Sequence, residues 1–428
     1  MSRLCITGGT IVDPDANLEQ QSDLYIADGI ILGRGEPPDG FSPEQTINAH
    51  GQLVAPGLVD LAARLREPGS SSKGGILSES GAAAAGGITT LLQPPDTQPV
   101  TDTPSVVELI HSRCNEAAAA RVLPVGALTK QLNGEHLSEM AALRDAGCPA
   151  LADGGKPLSN TLVLQRALDY AATFAIPVML TPQDPYLANA GIAHAGIIAN
   201  RRGLAGQSTA TETVAIGRLI AMAEECGIAM HIGRLSSARG GEMIAAAQQK
   251  GLPITADTAI HQLYLTEHDC DGYNSLAHIS PPARTVEDRT VLRQLVSQGA
   301  ISCLCSDHQP HDPDAKSSTY DACEPGISGL DTFLALTLRL VDEGVLTLNQ
   351  AIDRITYGPA QALGLTAGIL RSGAPADIAI IDPQATWQVD PETMLSRGKN
   401  SPFQGWNLSG SITTTIVGGR VVYQRPIH

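Results

Sequence analysis

The chain has 428 residues, of which 43% are hydrophobic, 17% charged and only 3% aromatic, so its cores must be built from Ala, Leu, Ile and Val. A formal charge of -16 repels phosphate backbones and anionic bilayers at long range, which argues against nucleic acid and membrane surfaces as partners. The length leaves room for one (β/α)8 barrel, which takes about 250 residues, and one smaller companion domain.

The opening run "MSRLCITGGTIVDP" alternates like a strand and lacks the continuous apolar stretch of a signal peptide. Nowhere do 18 apolar residues follow one another, so a cytoplasmic protein is expected. Residues 1–54 continue as short β-like runs broken by turns, among them "SDLYIADGIILGRGE" and "QTINAHGQLVAPG". Residues 366–428 repeat that texture in "ADIAIIDP" and "GSITTTIVGGRVVYQ". The two ends together predict one composite β-sandwich domain.

Between them, residues 55–365 alternate apolar strand-like runs with Ala-rich helical stretches, from "GLVDLAA" and "GGILSESGAAAAGG" through "IPVMLTP", "IAMHIGR" and "LPITADT" to "AISCLCSD". Repeated strand and helix units with nearly continuous apolar strands predict a parallel sheet closed into a (β/α)8 TIM-type barrel. Gly203 to Gly206 and Asp312 to Pro325 read as loops. Eight cysteines without a CxxC pair read as buried free thiols, with Cys303 and Cys305 on one side of a strand.

In such a barrel the chemistry sits at the C-terminal ends of the strands. Five of those ends carry polar clusters: "DLAARLREPG" (60–69), "LADGGKP" (151–157), "MLTPQDP" (179–185), "HIGRLSS" (231–237) and "CSDHQPH" (305–311). With "AAAAGGITTLLQPPDTQP", "SPPARTVEDR", "GISGLDT" and the C-terminal "SRGKNSPFQGW", they make the whole chain resemble the dihydroorotase branch of the amidohydrolase superfamily.

That resemblance implies a cyclic-amide hydrolase fold in which active members hold one or two Zn2+ ions. An HxH after the first strand, two later histidines and an aspartate after the eighth strand are the expected ligands. Here the HxH positions are Ala62 and Arg64, and the later histidine positions are Thr181 and Arg234. Alanine has no donor atom and a guanidinium has no lone pair to give. No zinc or other cofactor is therefore expected. Asp307 matches the eighth-strand aspartate, and Asp153 matches a position where some members carry an acid. Two carboxylates facing one cavity repel unless a cation lies between them, and Arg64 or Arg234 is expected to supply it as a bidentate pair with Asp307.

Arg66 and His311 match substrate-contacting positions and are expected to be vestigial, with Arg66 either bracing its loop to Glu67 or another acid, or meeting an anion. Where the family has asparagines this chain has Asp96 and Ser280, and an acid at 96 would repel an anionic substrate. His231 and His261 are expected to be hydrogen-bonded structural histidines. The resemblance thus implies a catalytically inactive dihydroorotase homologue of pyrimidine biosynthesis. It is expected to assemble with the aspartate transcarbamoylase catalytic subunit, as a homo-oligomer, a dimer, within a larger complex. The alternatives are an active cyclic-amide hydrolase with an altered site and a non-catalytic sensor of small anions.

Overall fold

The computed structural model describes residues 3–426. Eight short parallel strand positions form the barrel: β1 (Leu58–Asp60), β2 (Ile88–Gln93), β3 (Arg121–Pro124, continued by Gly126–Ala127), β4 (Leu151–Ala152), β5 (Val178–Leu180), β6 (Met230–Ile232), β7 (Ile254–Ala259) and β8 (Cys303–Cys305). Every residue of β1, β2, β6 and β8 is buried, because one face of each strand packs inside the barrel and the other packs under helices. Those helices include α1 (Ile76–Ala85), α2 (Pro104–Ala117), α3 (Met140–Asp145), α4 (Thr161–Thr173), α5 (Ala210–Cys226), α6 (Ala238–Gln249), α7 (Val286–Gln298) and α8 (Phe333–Asp342). Val107 and Ile110 on α2 and Leu164, Ala167 and Leu168 on α4 are among the apolar stripes turned inward.

The β3 strand changes partners half-way along. Val125 N donates to Gln93 O of β2 and Gly126 N to Ala150 O, next to β4. Gly126 is needed at this crossing, since a Cβ there would lie 2.8 Å from Leu151 Cδ2. The ring closes just beyond β1 and β8. His308 N donates to Ala62 O at 3.0 Å and Arg64 N to His308 O at 2.9 Å. This closure sets Arg64 beside Asp307, although 243 residues separate them in sequence.

The two chain ends share one eight-stranded sheet. Ile378–Ile381 run antiparallel to Leu53–Pro56, which in turn pair with Arg3–Asp13, so residues from both termini alternate across one apolar core of Ile6, Ile11, Val54, Ile378, Ile380 and Ile416. Gly57 follows that sheet and enters β1 at once, so tightly against Thr89 that a Cβ would sit 2.1 Å from its Oγ1. Arg121 of β3 pairs with the buried Asp377 at 2.6 Å and fixes the sheet to the barrel. The cysteines are free thiols, six of them buried, and burial pushes the Cys148 thiol up to about 12. Among the described residues, no helix is long and apolar enough to cross a membrane.

Candidate functional site

The mouth of the barrel is built on Asp60, the last residue of β1. Its buried carboxylate accepts hydrogen bonds from Ser306 N at 3.0 Å and Ala62 N at 3.3 Å, and from Ser306 Oγ, so the ends of β1 and β8 are tied by one side chain. Burial raises the pKa of this carboxyl, against the pull of those donors. From this anchor the backbone presents Ala62, Arg64 and Arg66 in turn. Ala62 packs with Ala259 and Cys305 in a small apolar cluster.

Arg64 is buried, and its Nε donates to Asp96 Oδ2 at 2.7 Å while Nη1 lies 3.5 Å from Asp307 Oδ1. Arg234 reaches the same oxygen from the other side, with Nη1 also at 3.5 Å, and its Nη2 donates to Thr181 Oγ1 at 3.0 Å. Thr181 in turn donates through Oγ1 and N to the two oxygens of Asp153, at 2.8 Å each. One continuous polar chain therefore runs from Asp96 through Arg64, Asp307, Arg234 and Thr181 to Asp153.

The expected arginine-for-metal contact is present, but not in bidentate form. Each guanidinium offers Asp307 one long contact, because the short side of the Arg64 fork is turned to Asp96 and Arg234 is shared with Thr181. Two cations on one carboxylate oxygen offset the cost of burying its charge better than either would alone. Asp96 also reads differently in three dimensions. Burial alone would raise its carboxyl, yet Arg64, with Arg66 and Arg234 behind it, holds the group below its ordinary value. Its charge is matched within the protein, so the expectation that it simply repels an anion is corrected. Arg64 answers in kind: burial disfavours its charge, but Asp96 and Asp307 outweigh that and raise its pKa.

Arg66 stands apart. Its backbone is left-handed, with φ at 66°, its Nε donates to Pro310 O at 3.2 Å, and among the described residues no carboxylate forms an ion pair with it. The expected brace to Glu67 is absent, because Glu67 Oε2 accepts from Ile76 N at the start of α1. Burial, followed by the nearby Arg64 charge, lowers the Arg66 pKa. His311 lies 3.4 Å from Arg66 Nη2 and is pushed down to about 4, chiefly by burial and then by Arg66.

Of the two expected structural histidines, one is. His231 bonds Thr255 Oγ1 at 2.9 Å and Asp257 Oδ2 at 2.7 Å. His261 corrects the expectation, since neither ring nitrogen has a hydrogen-bond partner; burial, opposed by Asp307 and aided by Arg234, pushes it down to about 4.

Sequence reasoning missed a second buried pair. Glu79 of α1 takes His308 Nε2 at 3.0 Å and Ser396 Oγ at 2.6 Å, and the charge and hydrogen bond of His308 hold its carboxyl below the ordinary range despite burial. Asn400 accepts from His311 N and donates to Gln309 O and Gly326 O. The "SRGKNSPF" stretch is thus a clamp on the loop after β8. Glu79→Gln is expected to destabilise the fold by about 3 kcal/mol, because His308 and Ser396 lose a buried charged acceptor. Urea unfolding and proteolysis of the 396–403 segment check this; a shift below about 1 kcal/mol with no new cleavage would contradict it.

Above the ion chain lies a cavity of about 300 Å3, lined among others by Arg66, Lys156, Gln207, Arg284, Gln309 and His311. That volume suits a small molecule. The residues at the ligand positions do not fit a zinc ion. Ala62 offers no donor, Arg64 and Arg234 are cations bonded to Asp307, and among the described residues no group of three or more His, Cys, Asp or Glu side chains is arranged to hold a metal.

Residues 51–239 match the Dihydro-orotase-like family. The chain is 46% identical over 421 residues to a dihydroorotase-like protein of Pseudomonas aeruginosa, with 98% of this chain and 99% of that protein covered. The chain belongs to the dihydroorotase-like family. Another dihydroorotase-like protein, from Pseudomonas putida, is 47% identical over 420 residues, covering 98% and 99%. A protein named dihydroorotase, from Geobacter metallireducens, is 39% identical with 99% of this chain and 100% of that protein covered. The fold is that of an L-hydantoinase from Arthrobacter aurescens, which superposes with a TM-score of 0.89 at 24% identity over 99% of this chain and 96% of that one. Within this dihydroorotase-like scaffold Arg64, Arg234, Asp96 and Asp307 form an internal ion network at the strand ends.

Proposed function

We propose that this chain is a catalytically inactive dihydroorotase homologue that acts as a structural subunit, holding the aspartate transcarbamoylase catalytic chain in an oligomer. The observation that carries this reading is the single oxygen of Asp307 shared at 3.5 Å by Arg64 and Arg234. A hydrolase of this class needs a polarised carbonyl and an activated water, and a metal supplies several kcal/mol of charge stabilisation for them. In this chain the aspartate that would take the proton is engaged by two guanidiniums, and Cys303 and Cys305 are buried thiols whose pKa burial raises, so neither is a ready nucleophile. The relatives named dihydroorotase-like are 46% and 47% identical, above the 39% of the Geobacter protein named dihydroorotase, which agrees with a divergent branch. A metal-free scaffold whose strands, helices and C-terminal clamp are intact has its function on the surface.

The test is a dihydroorotase assay of the purified chain with and without added Zn2+, joined to metal analysis. No turnover and substoichiometric zinc are expected. Stoichiometric zinc with turnover would establish instead the reading as an active hydrolase, which the Geobacter relative's name favours.

A further inference from the structure

A second cavity lies away from the barrel mouth, where the terminal sheet splits. Gln45–Asn48 and Leu53–Pro56 both pair with Arg3–Asp13, and Ile378–Gln388 follows the second of them only as far as Leu53. There, against the end of α1, opens a groove of about 1060 Å3, lined among others by Gln45–Asn48, Trp387, Thr414 and Tyr423. Ligand sites favour such domain boundaries, and the volume is at the upper end of what they take.

This lining, unlike that of the barrel mouth, offers no free charge. Its one carboxylate and its one guanidinium are both engaged. Asp331 accepts from Leu395 N at 2.6 Å and Ser396 N at 3.3 Å, and Arg425 pairs with Asp382 at 3.1 Å. A charged ligand would lose its hydration here without gaining a counter-ion.

What remains are amides, hydroxyls and two aromatic rings. Thr414 is 3% exposed, yet its hydroxyl has no partner among the described residues and is not sealed from solvent, so it opens to the groove. Gln45 and Thr46 are exposed on their strand, their side chains also unbonded among the described residues. Amides and hydroxyls both donate and accept hydrogen bonds, as the hydroxyls of a sugar do. Trp387 is half-buried, with Nε1 held by Gly410 O at 3.0 Å, which fixes its ring. An aromatic face is electron-rich and suits the weakly positive C–H face of a sugar ring.

We propose that this groove binds an uncharged oligosaccharide, with a sugar ring on Trp387 and hydroxyls bonded to Thr414, Gln45 and Thr46. This goes beyond assembly, which requires no occupant of the groove. The ligand is bound and not transformed.

Isothermal titration of the full-length chain with maltotriose, cellotriose, trigalacturonate and a glucosamine trimer tests it, because the four share ring size and differ in charge. At least one neutral trimer is expected to bind about tenfold tighter than both charged ones. Thr414→Val preserves shape and is expected to weaken that trimer about fivefold, the size of effect that one hydrogen bond gives; Gln45→Ala, at an exposed position, is expected to weaken it by at least about twofold. No binding of either neutral trimer at millimolar concentration, a charged trimer bound as tightly, or an affinity untouched by both substitutions would overturn the proposal. Should Thr414→Val fail to fold, Gln45→Ala alone decides, since the assembly reading predicts nothing for it.

Discussion

Replacing Asp307 with asparagine is expected to destabilise the protein by about 3 to 5 kcal/mol, the usual cost of removing one member of a buried ion set. The side chain is 2% exposed, and Arg64 and Arg234 are 10% and 12% exposed, so solvent screens the group little. At an effective dielectric of about 20, a unit pair at the observed 3.5 Å attracts by about 5 kcal/mol. Two such attractions converge on one oxygen and offset the desolvation of three charges. Without the carboxylate, Arg64 keeps Asp96, but Arg234 keeps only the neutral Thr181 hydroxyl, and two like charges face each other. Urea unfolding of Asp307→Asn against the parent measures this directly. A loss under about 1 kcal/mol, the range of exposed pairs, would mean that the network is solvated and not structural. In an active metalloenzyme the same change chiefly removes activity, so a large stability effect belongs to this reading of the site.

Acid is expected to weaken the fold well before the carboxylates titrate. His261, His278 and His311 are buried and each is pushed down to about 4, with burial the leading cause in all three. In the unfolded chain each takes its proton near the ordinary value of about 6.5. Between those values the unfolded state binds more protons, so stability is present above pH 6.5 and is lost as pH falls toward 4. Each histidine contributes a slope approaching about 1.4 kcal/mol per pH unit below its unfolded value. His194, also lowered by burial and by Arg284, acts in the same direction. The buried carboxyls of Asp60 and Asp331 are raised by burial and oppose the trend as they titrate, so the histidine contribution is read from its onset below about pH 6.5. Stability should fall as the pH drops from about 6.5, with a net proton uptake on unfolding that grows toward one per buried histidine. A flat profile would mean that these rings are hydrated in solution. His261→Asn is expected to reduce the slope by about one proton.

The barrel was legible because its signals are local: apolar strands, helical stretches between them and punctuation at each end. The shared terminal sheet followed from similar texture at both ends. The strand-end polar clusters were legible through the family resemblance, which marked Ala62, Arg64, Thr181 and Arg234 letter by letter. Pairings across long sequence distance were harder to see. The approach of Arg64 to Asp307 was foreseen from charge logic, but its geometry was not, because the Asp96 partner decides how the guanidinium fork turns. In retrospect the signal was present: an acid at 96 and a base at 64 are complementary departures from the family pattern. The Glu79 to His308 pair and the open nitrogens of His261 carried no such signal, since burial is a property of the assembled fold.

The proposed assembly role makes one demand above the rest. Mixing the purified chain with the aspartate transcarbamoylase catalytic subunit and measuring mass by sedimentation tests it most directly. A single species heavier than either component, unchanged by Asp96→Asn, is the expected result. Two species sedimenting independently at every ratio would contradict the assembly role.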